Sequence, residues 1–218
     1  MTTVVLASAS PARRRILEGT GITPQIIVSD VDEDALEAAH PDASVPELAA
    51  LLARAKGEAV IERICADPQL VDVPGPLVLL ASDSILELAG RAVGKPHTAE
   101  ATRTVWRRMG GAGAHLHTGH FAARLERTSG WRRVGSAEAV GTSVIHTAAP
   151  TSAELEAYIA TEEPFEVAGA LTIDGYGGAF VTGIEGDHNN VIGLSLPLVR
   201  ELVTSLGFFW PSLWDVNR

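Results

Sequence analysis

Cysteine is nearly absent: Cys65 stands alone in 218 residues. That excludes an internal disulfide, fits a reducing compartment and leaves no CxxC pair for a zinc framework. No apolar run approaches the ~20 residues of a membrane span. The opening "VVLASAS" imitates a signal-peptidase site, but it has no basic n-region and its apolar run is far too short. The cytoplasm is therefore the expected location, with no membrane as partner. Basic residues are also scarce: 17 Lys and Arg against 27 Asp and Glu leave a formal net charge of −10. A nucleic-acid polymer needs a broad basic face, so it is not the expected partner. A small anion in a local basic pocket remains compatible with this charge. The GxxxxGK[ST], GxSxG and HExxH motifs are all missing. No repeat or low-complexity linker divides the chain, whose length suits one large domain or two small lobes.

What is present alternates between strand and helix signals. Residues 4–7 read as a short buried strand. Ser10 as N-cap and Pro11 as first helical residue open a helix through Ile16 and Leu17 towards Gly19 and Gly21. "QIIVS", from Gln25, reads as a second strand and leads into the acidic run "DVDEDALE". Ser44 and Glu47 make a capping box, with Pro46 in the first turn of the helix. Its apolar stripe is Leu48, Leu51, Leu52, Ala55 and Ala59, with Lys56 at the margin. "DVPGP" is a loop, and "LVLLAS" is a strand covered on both faces, with Asp83 directly after it. A hairpin turning at Ala89 and Gly90 follows. Next comes a helix carrying Ala101, Val105, Trp106 and Met109. Strands from His115 to Val144 are expected to break at "TSGW" and "VGS". A further helix is capped by Thr151 and Glu154. Strands are expected around "ALTIDG" and "GAFVTGI", and a last helix carries Leu198, Leu202 and Leu206 up to Gly207. The fold class is α/β with a mixed sheet.

Positive charge gathers in one place. Arg13, Arg14 and Arg15 fall in the first turn of the first helix, whose dipole repels cations by roughly 0.3–1 kcal/mol each. A solvated basic face is one reading. The other is an anion site, in which free backbone N–H groups attract phosphate and arginines complete a clamp. Asp83 at a strand end either caps the next turn or serves as a catalytic group. Lys95 in "GKP" is held between glycine and proline. In "HLHTGH", His115 and His117 would share one face of a strand. A zinc or nickel site including His120 is one reading, and outward-facing strand histidines are the other.

In order along the chain, "LASASPARR", "DVDE", "ARAKG", "ASDS", "GKP", "AGALTIDGYGGAF" and "NVIGLSLP" resemble the signature blocks of the Maf family of nucleotide pyrophosphatases. The resemblance runs from about Val4 to Leu206. It implies a single Maf-like domain over residues 1–218, two-lobed, with a long mixed twisted sheet flanked by helices and a cleft for a nucleoside triphosphate. The implied reaction cleaves the α–β phosphoanhydride to a monophosphate and diphosphate, using a divalent cation, Mg2+ or Mn2+. Carried onto this sequence, Ser8, Arg13 and Arg14 hold phosphates, and Lys56 and Lys95 neutralise the triphosphate. Ser84 and Asp174 contact substrate, Glu33 helps hold the metal or the water, and Asp83 is the general base or a metal ligand. A non-catalytic nucleotide-binding regulator of cell division and a phosphomonoesterase are the rival readings.

The sequence departs from the family pattern in four places. Ala12 stands where arginine is common, and Ser82 and Ser84 flank Asp83 where alanine and threonine are common. Asp174 replaces a glutamine, and Ala114 stands where a histidine is usual. As an acceptor only, Asp174 is expected to disfavour thymine and uracil. Arg13 is expected to grip the ligand while adding little stability to the free protein. The apolar tail "FFWPSLWDVNR" either docks on its own subunit or builds a homodimer contact.

Overall fold

The computed structural model describes residues 2–111 and 113–215. The first strand, β1 (Thr3–Leu6), is parallel to β2 (Gln25–Ile26) on one side and to β3 (Leu77–Leu88) on the other. β3 is antiparallel to β5 (Gly113–Arg127) from Leu77↔Leu125 to Glu87↔His115. β6 (Trp131–Thr147) and β7 (Val181–Glu185) continue the sheet in the order β2-β1-β3-β5-β6-β7, and β4 (Arg91–Val93) pairs with β3. The result is the mixed α/β sheet that the sequence pattern implied.

The unbroken apolar run in β3 is buried on both faces because each face meets different helices. Leu77, Leu79 and Ala81 join Val60, Ile61 and Ile64 of α3 (Val45–Ala66). Val78 and Leu80 face the other way, onto Leu17 of α1 (Pro11–Glu18) and Val199 and Val203 of α7 (Leu196–Ser205), which follows the short α6 (His188–Ile192). A third cluster joins Leu86 and Leu88 to Trp106 and Met109 of α4 (Ala99–Met109) and Tyr158 of α5 (Ser152–Ile159).

Helix α3 buries Val45, Leu48, Ala49, Leu52, Ala53, Lys56, Gly57 and Val60, so Lys56 lies within the buried stripe, not at its margin. Two glycines let this helix lie close to the sheet. A Cβ on Gly119 would strike the Ala49 carbonyl, and one on Gly57 would strike the Phe121 ring.

Several local expectations change. "DVDEDALE" contains a helix, α2 (Glu33–Ala39), because the Asp32 side chain accepts the Ala35 N–H at 2.9 Å and starts it. "VGS" does not break β6; the ladder skips Val134 as a bulge opposite Arg124 and Leu125. No strand forms at "ALTIDG". Gly169 just before it and Ala170 at its start have φ +67 and +58, which no strand adopts, and just after it the Tyr176 and Gly177 N–H groups donate to the Glu163 carboxylate. α7 buries Val199, Leu202 and Val203, with Leu198 and Leu206 only half-buried. The tail docks on its own subunit: Thr2 N–H donates to the Ser212 carbonyl at 3.0 Å, and Leu213 is buried. Val216, Asn217 and Arg218 lie outside the described residues. Among the described residues, no helix is long and apolar enough to cross a membrane.

Candidate active site

β1 accompanies β3 only as far as Leu6↔Leu80, and β4 joins the same edge only from Leu86↔Val93. Between these, residues 81–85 of β3 have β5 on one side and, among the described residues, no strand on the other. Asp83 and Ser84 lie in this gap. Crevices beyond the carboxyl ends of parallel strands, where the sheet connection changes, are where α/β proteins bind ligands.

Asp83 faces α3. The Lys56 ammonium donates to Asp83 Oδ1, and Glu33 Oε1, from the first residue of α2, lies 2.9 Å from the same nitrogen. The Lys56 and Asp83 side chains are each 10 % exposed, whereas Glu33 is 44 % exposed. One cation thus lies between two carboxylates, one of them open to solvent.

Ser84 faces the opposite way, towards α1. Arg13 Nη2 donates to Ser84 Oγ at 3.1 Å, Nη1 to Ser8 Oγ at 3.2 Å and Nε to the Gly193 carbonyl at 2.9 Å. Burial lowers the Arg13 pKa, and the nearby Asp83 and Glu33 carboxylates act in the opposite direction. Arg13 therefore links the hydroxyl side of the gap electrostatically to the acid side. Gly193 has φ +124, and a Cβ there would lie 3.0 Å from Arg13 Nε, so a side chain would be strained and would crowd the guanidinium.

The three arginines have three fates. Arg13 enters the cluster. Arg14 is exposed on Glu18 at 2.7 Å, an i,i+4 pair, and the structure does not bring it to the other site residues. Arg15 pairs with Asp174 at 2.9 Å. Lys95 follows β4 at the far rim of the gap, exposed and without a polar partner among the described residues. The structure thus groups Ser8, Arg13, Glu33, Lys56, Asp83 and Ser84, sets Lys95 at the rim, and ties Asp174 to α1.

The "HLHTGH" histidines form no metal cluster; no group of three or more His, Cys, Asp or Glu suited to a metal occurs among the described residues. His115 and His117 share a face and stack at 6.3 Å, with His117 between Thr142 at 2.9 Å and Glu87 at 2.8 Å. Strand alternation sends His120 to the other face. There its Nε2 accepts the Ser195 N–H at 2.8 Å and fixes the entry to α7. Burial, then the charge of Arg13, pushes the His120 pKa down to about 4.

Sequence reasoning missed the polar support beneath Ser84. Thr118 Oγ1 lies 2.9 Å from Ser84 Oγ and donates to the Asn190 carbonyl at 2.8 Å, while Ser82 Oγ donates to Gly193 O at 3.0 Å. The signal was "NVIGLSLP", which served only as a family block. Its Asn190, Gly193 and Ser195 close the cluster from the far end of the chain.

A family profile described as "Maf-like protein" matches residues 3–206. The chain belongs to the Maf family. It is 41 % identical over 218 residues to a protein of Mycobacterium ulcerans named nucleoside triphosphate pyrophosphatase, covering 100 % of this chain and 99 % of the relative. A Nocardia farcinica protein of the same name is 46 % identical over 214 residues, covering 98 % and 97 %. A Rhodococcus opacus protein, also so named, is 45 % identical over 218 residues, covering 100 % and 98 %. The Maf profile runs from β1 to just beyond α7, so it takes in every element that contributes to the cluster.

Proposed function

We infer that the chain is a nucleoside triphosphate pyrophosphatase, a hydrolase that converts a nucleoside triphosphate to the monophosphate and diphosphate. The observation that carries this reading is the β3 gap, with an Arg13 clamp on one face and Lys56 between Asp83 and Glu33 on the other. A triphosphate and its transition state are polyanions, so attack by water needs fixed positive charge. Arg13, Lys56 and the rim residue Lys95 supply it, and Ser8 and Ser84 offer hydroxyl partners. Release of diphosphate means attack at the α-phosphorus, with the β and γ groups held as leaving group. Asp83 is the group that takes the proton from the attacking water.

Glu33 and Asp83 are hard oxygen donors. Mg2+ is commonly held by one or two carboxylates together with substrate phosphates, so the donor set fits Mg2+ or Mn2+. Such a cation, when bound, offsets phosphate charge and acidifies a water. A non-catalytic nucleotide-binding regulator gains nothing from a buried aspartate beside phosphate, which favours the enzyme. The acidic net charge and the lone exposed Cys65 support a cytoplasmic enzyme acting on free nucleotides.

Incubation with Mg2+ or Mn2+ and a nucleoside triphosphate tests the reading, with diphosphate and orthophosphate measured separately. Diphosphate with monophosphate is the expected outcome. Orthophosphate alone would indicate a phosphomonoesterase, and binding without either product would indicate a regulator.

A further inference from the structure

Two cross-strand pairs on the Arg13 side of β3 converge on one short stretch of chain. Ser82 lies opposite His120 and Ser84 opposite Thr118 in the β3–β5 ladder, and strand alternation puts all four side chains on one face. Ser82, Thr118 and His120 are buried. Each of these three reaches α6 or the turn that follows it. Thr118 donates to the Asn190 carbonyl, Ser82 donates to the Gly193 carbonyl, and His120 accepts the Ser195 N–H. The bonds at Gly193 and Ser195 hold successive peptide planes, joined at the Leu194 Cα. Leu194 is itself buried, and its N–H donates to the Asn189 carbonyl at 2.9 Å. The Gly193 carbonyl therefore has a fixed place, where it accepts from Ser82 and from Arg13 together.

That carbonyl sets the direction of the clamp. A guanidinium is planar and carries five N–H donors, one on Nε and two on each terminal nitrogen. Gly193 takes the Nε donor, while Ser8 and Ser84 take one from each terminal nitrogen. Two donors are left, one on Nη1 and one on Nη2, and a fork of this kind suits two oxygens of a phosphate group. Ser84 is ready to accept from Arg13, because Thr118 donates its own proton to Asn190 and so takes the Ser84 proton as an acceptor. We propose that His120 and Ser82 are positioning residues for the Arg13 phosphate clamp, acting through the Gly193 carbonyl. This rests on the pyrophosphatase reading. His120 suits the place because its pKa of about 4 leaves it neutral near the guanidinium, and the neutral ring keeps Nε2 as an acceptor.

Inorganic tripolyphosphate, which has no base, reads the clamp alone. Calorimetry with Mg2+ gives its Kd for the wild type, H120L, S82A and V203A, and for H120L and S82A in an R13A background. KM and kcat for diphosphate release from the common nucleoside triphosphates are measured in parallel. H120L should weaken tripolyphosphate binding about 10-fold, within the roughly 10²-fold that a misplacement of about 1 Å brings. KM should rise by a similar factor, with a smaller fall in kcat. S82A should weaken binding about 3-fold, the low range for one hydrogen bond. V203A removes buried contacts from α7 and has no part in the turn, so it should lose stability and keep the wild-type Kd. In the R13A background neither H120L nor S82A should weaken binding further. Equal losses with and without Arg13 would overturn the proposal, as would a V203A Kd as weak as that of H120L. If H120L does not fold, the S82A measurements in the two backgrounds decide. A wild type that binds tripolyphosphate but releases no diphosphate from any nucleotide would instead sink the pyrophosphatase reading.

Discussion

Lys56 and Asp83 meet between α3 and β3 as a buried ion pair, and Glu33 approaches the same ammonium from the solvent side at 2.9 Å. The two ends of this arrangement respond differently to mutation. Asp83→Asn keeps an oxygen for the lysine, which also retains Glu33. It should leave the fold intact and lower turnover by about 10²–10⁴, the range for a positioned acid–base group. Wild-type turnover with chemistry rate-limiting would remove Asp83 from the role of base. Lys56→Met leaves a buried carboxylate without its cation and should cost about 3–5 kcal/mol in urea unfolding.

Arg13→Ala has a different signature from the one that its place at a helix N-terminus suggests. The side chain makes three donations in the free protein, so it does more than wait for a ligand. Its removal should destabilise the free protein by about 1–3 kcal/mol, the cost of leaving part-buried acceptors without a charged donor. Tripolyphosphate binding should weaken by roughly 1.5–3 kcal/mol as well, for the same kind of bond. Urea titration without ligand and calorimetry with tripolyphosphate measure the two effects separately. A variant as stable as the wild type would show that the three donations add nothing in the absence of substrate.

His120 sets an acid limit. Its folded-state pKa of about 4 lies below the ordinary histidine value of 6.5. The unfolded chain therefore binds this proton first, and stability falls as pH drops from about 6.5 to about 4. At roughly 1.4 kcal/mol per pKa unit the loss is about 3 kcal/mol. His120→Asn keeps an acceptor for the Ser195 N–H without the titration. The difference in urea midpoint between pH 7 and pH 4.5 should be smaller in this variant. An identical slope in both proteins would assign the acid limit to other groups.

Gly119→Ala places a methyl group against the Ala49 carbonyl, which is backbone and has no rotamer to change. α3 must move away from β5, taking Lys56 with it. The expected cost is about 1–3 kcal/mol from overpacking, with a fall in turnover although no site residue has changed. Thermal unfolding and steady-state kinetics on the same preparation check both. Full activity at unchanged stability would mean that α3 can shift without disturbing Lys56.

The sequence makes legible what depends on local chemistry. Ser10 and Pro11 announce α1, the Ser44–Glu47 box announces α3, and the apolar run announces β3; each forms where its signal stands. The grouping of Ser8, Arg13, Lys56 and Asp83 follows from family blocks, because those blocks mark positions that converge in space. What stayed hidden depends on distant partners. Arg14 and Arg15 are chemically the same in the sequence and are separated only by where Glu18 and Asp174 lie. "ALTIDG" has strand composition, but its entry turns through positive φ at Gly169 and Ala170, and the backbone just after it is tied to the Glu163 carboxylate. The depth of Lys56 escaped notice because the stripe of α3 widens where glycines let it approach the sheet.

Asp83 and Ser84 are sequence neighbours on opposite sides of one strand, so the register of β3 decides which group Lys56 meets and which Arg13 meets. A slip of a single residue would exchange the carboxylate for the hydroxyl, giving Lys56 a serine and Arg13 an aspartate. Nothing in the composition of the site would have changed, yet its chemistry would be inverted. The long ladder with β5 and the parallel ladder with β1 both resist that slip. Length changes in the preceding loop, residues 67–76, should therefore be tolerated. An insertion inside residues 77–82 should abolish activity even when the inserted residue is apolar and the sheet still forms.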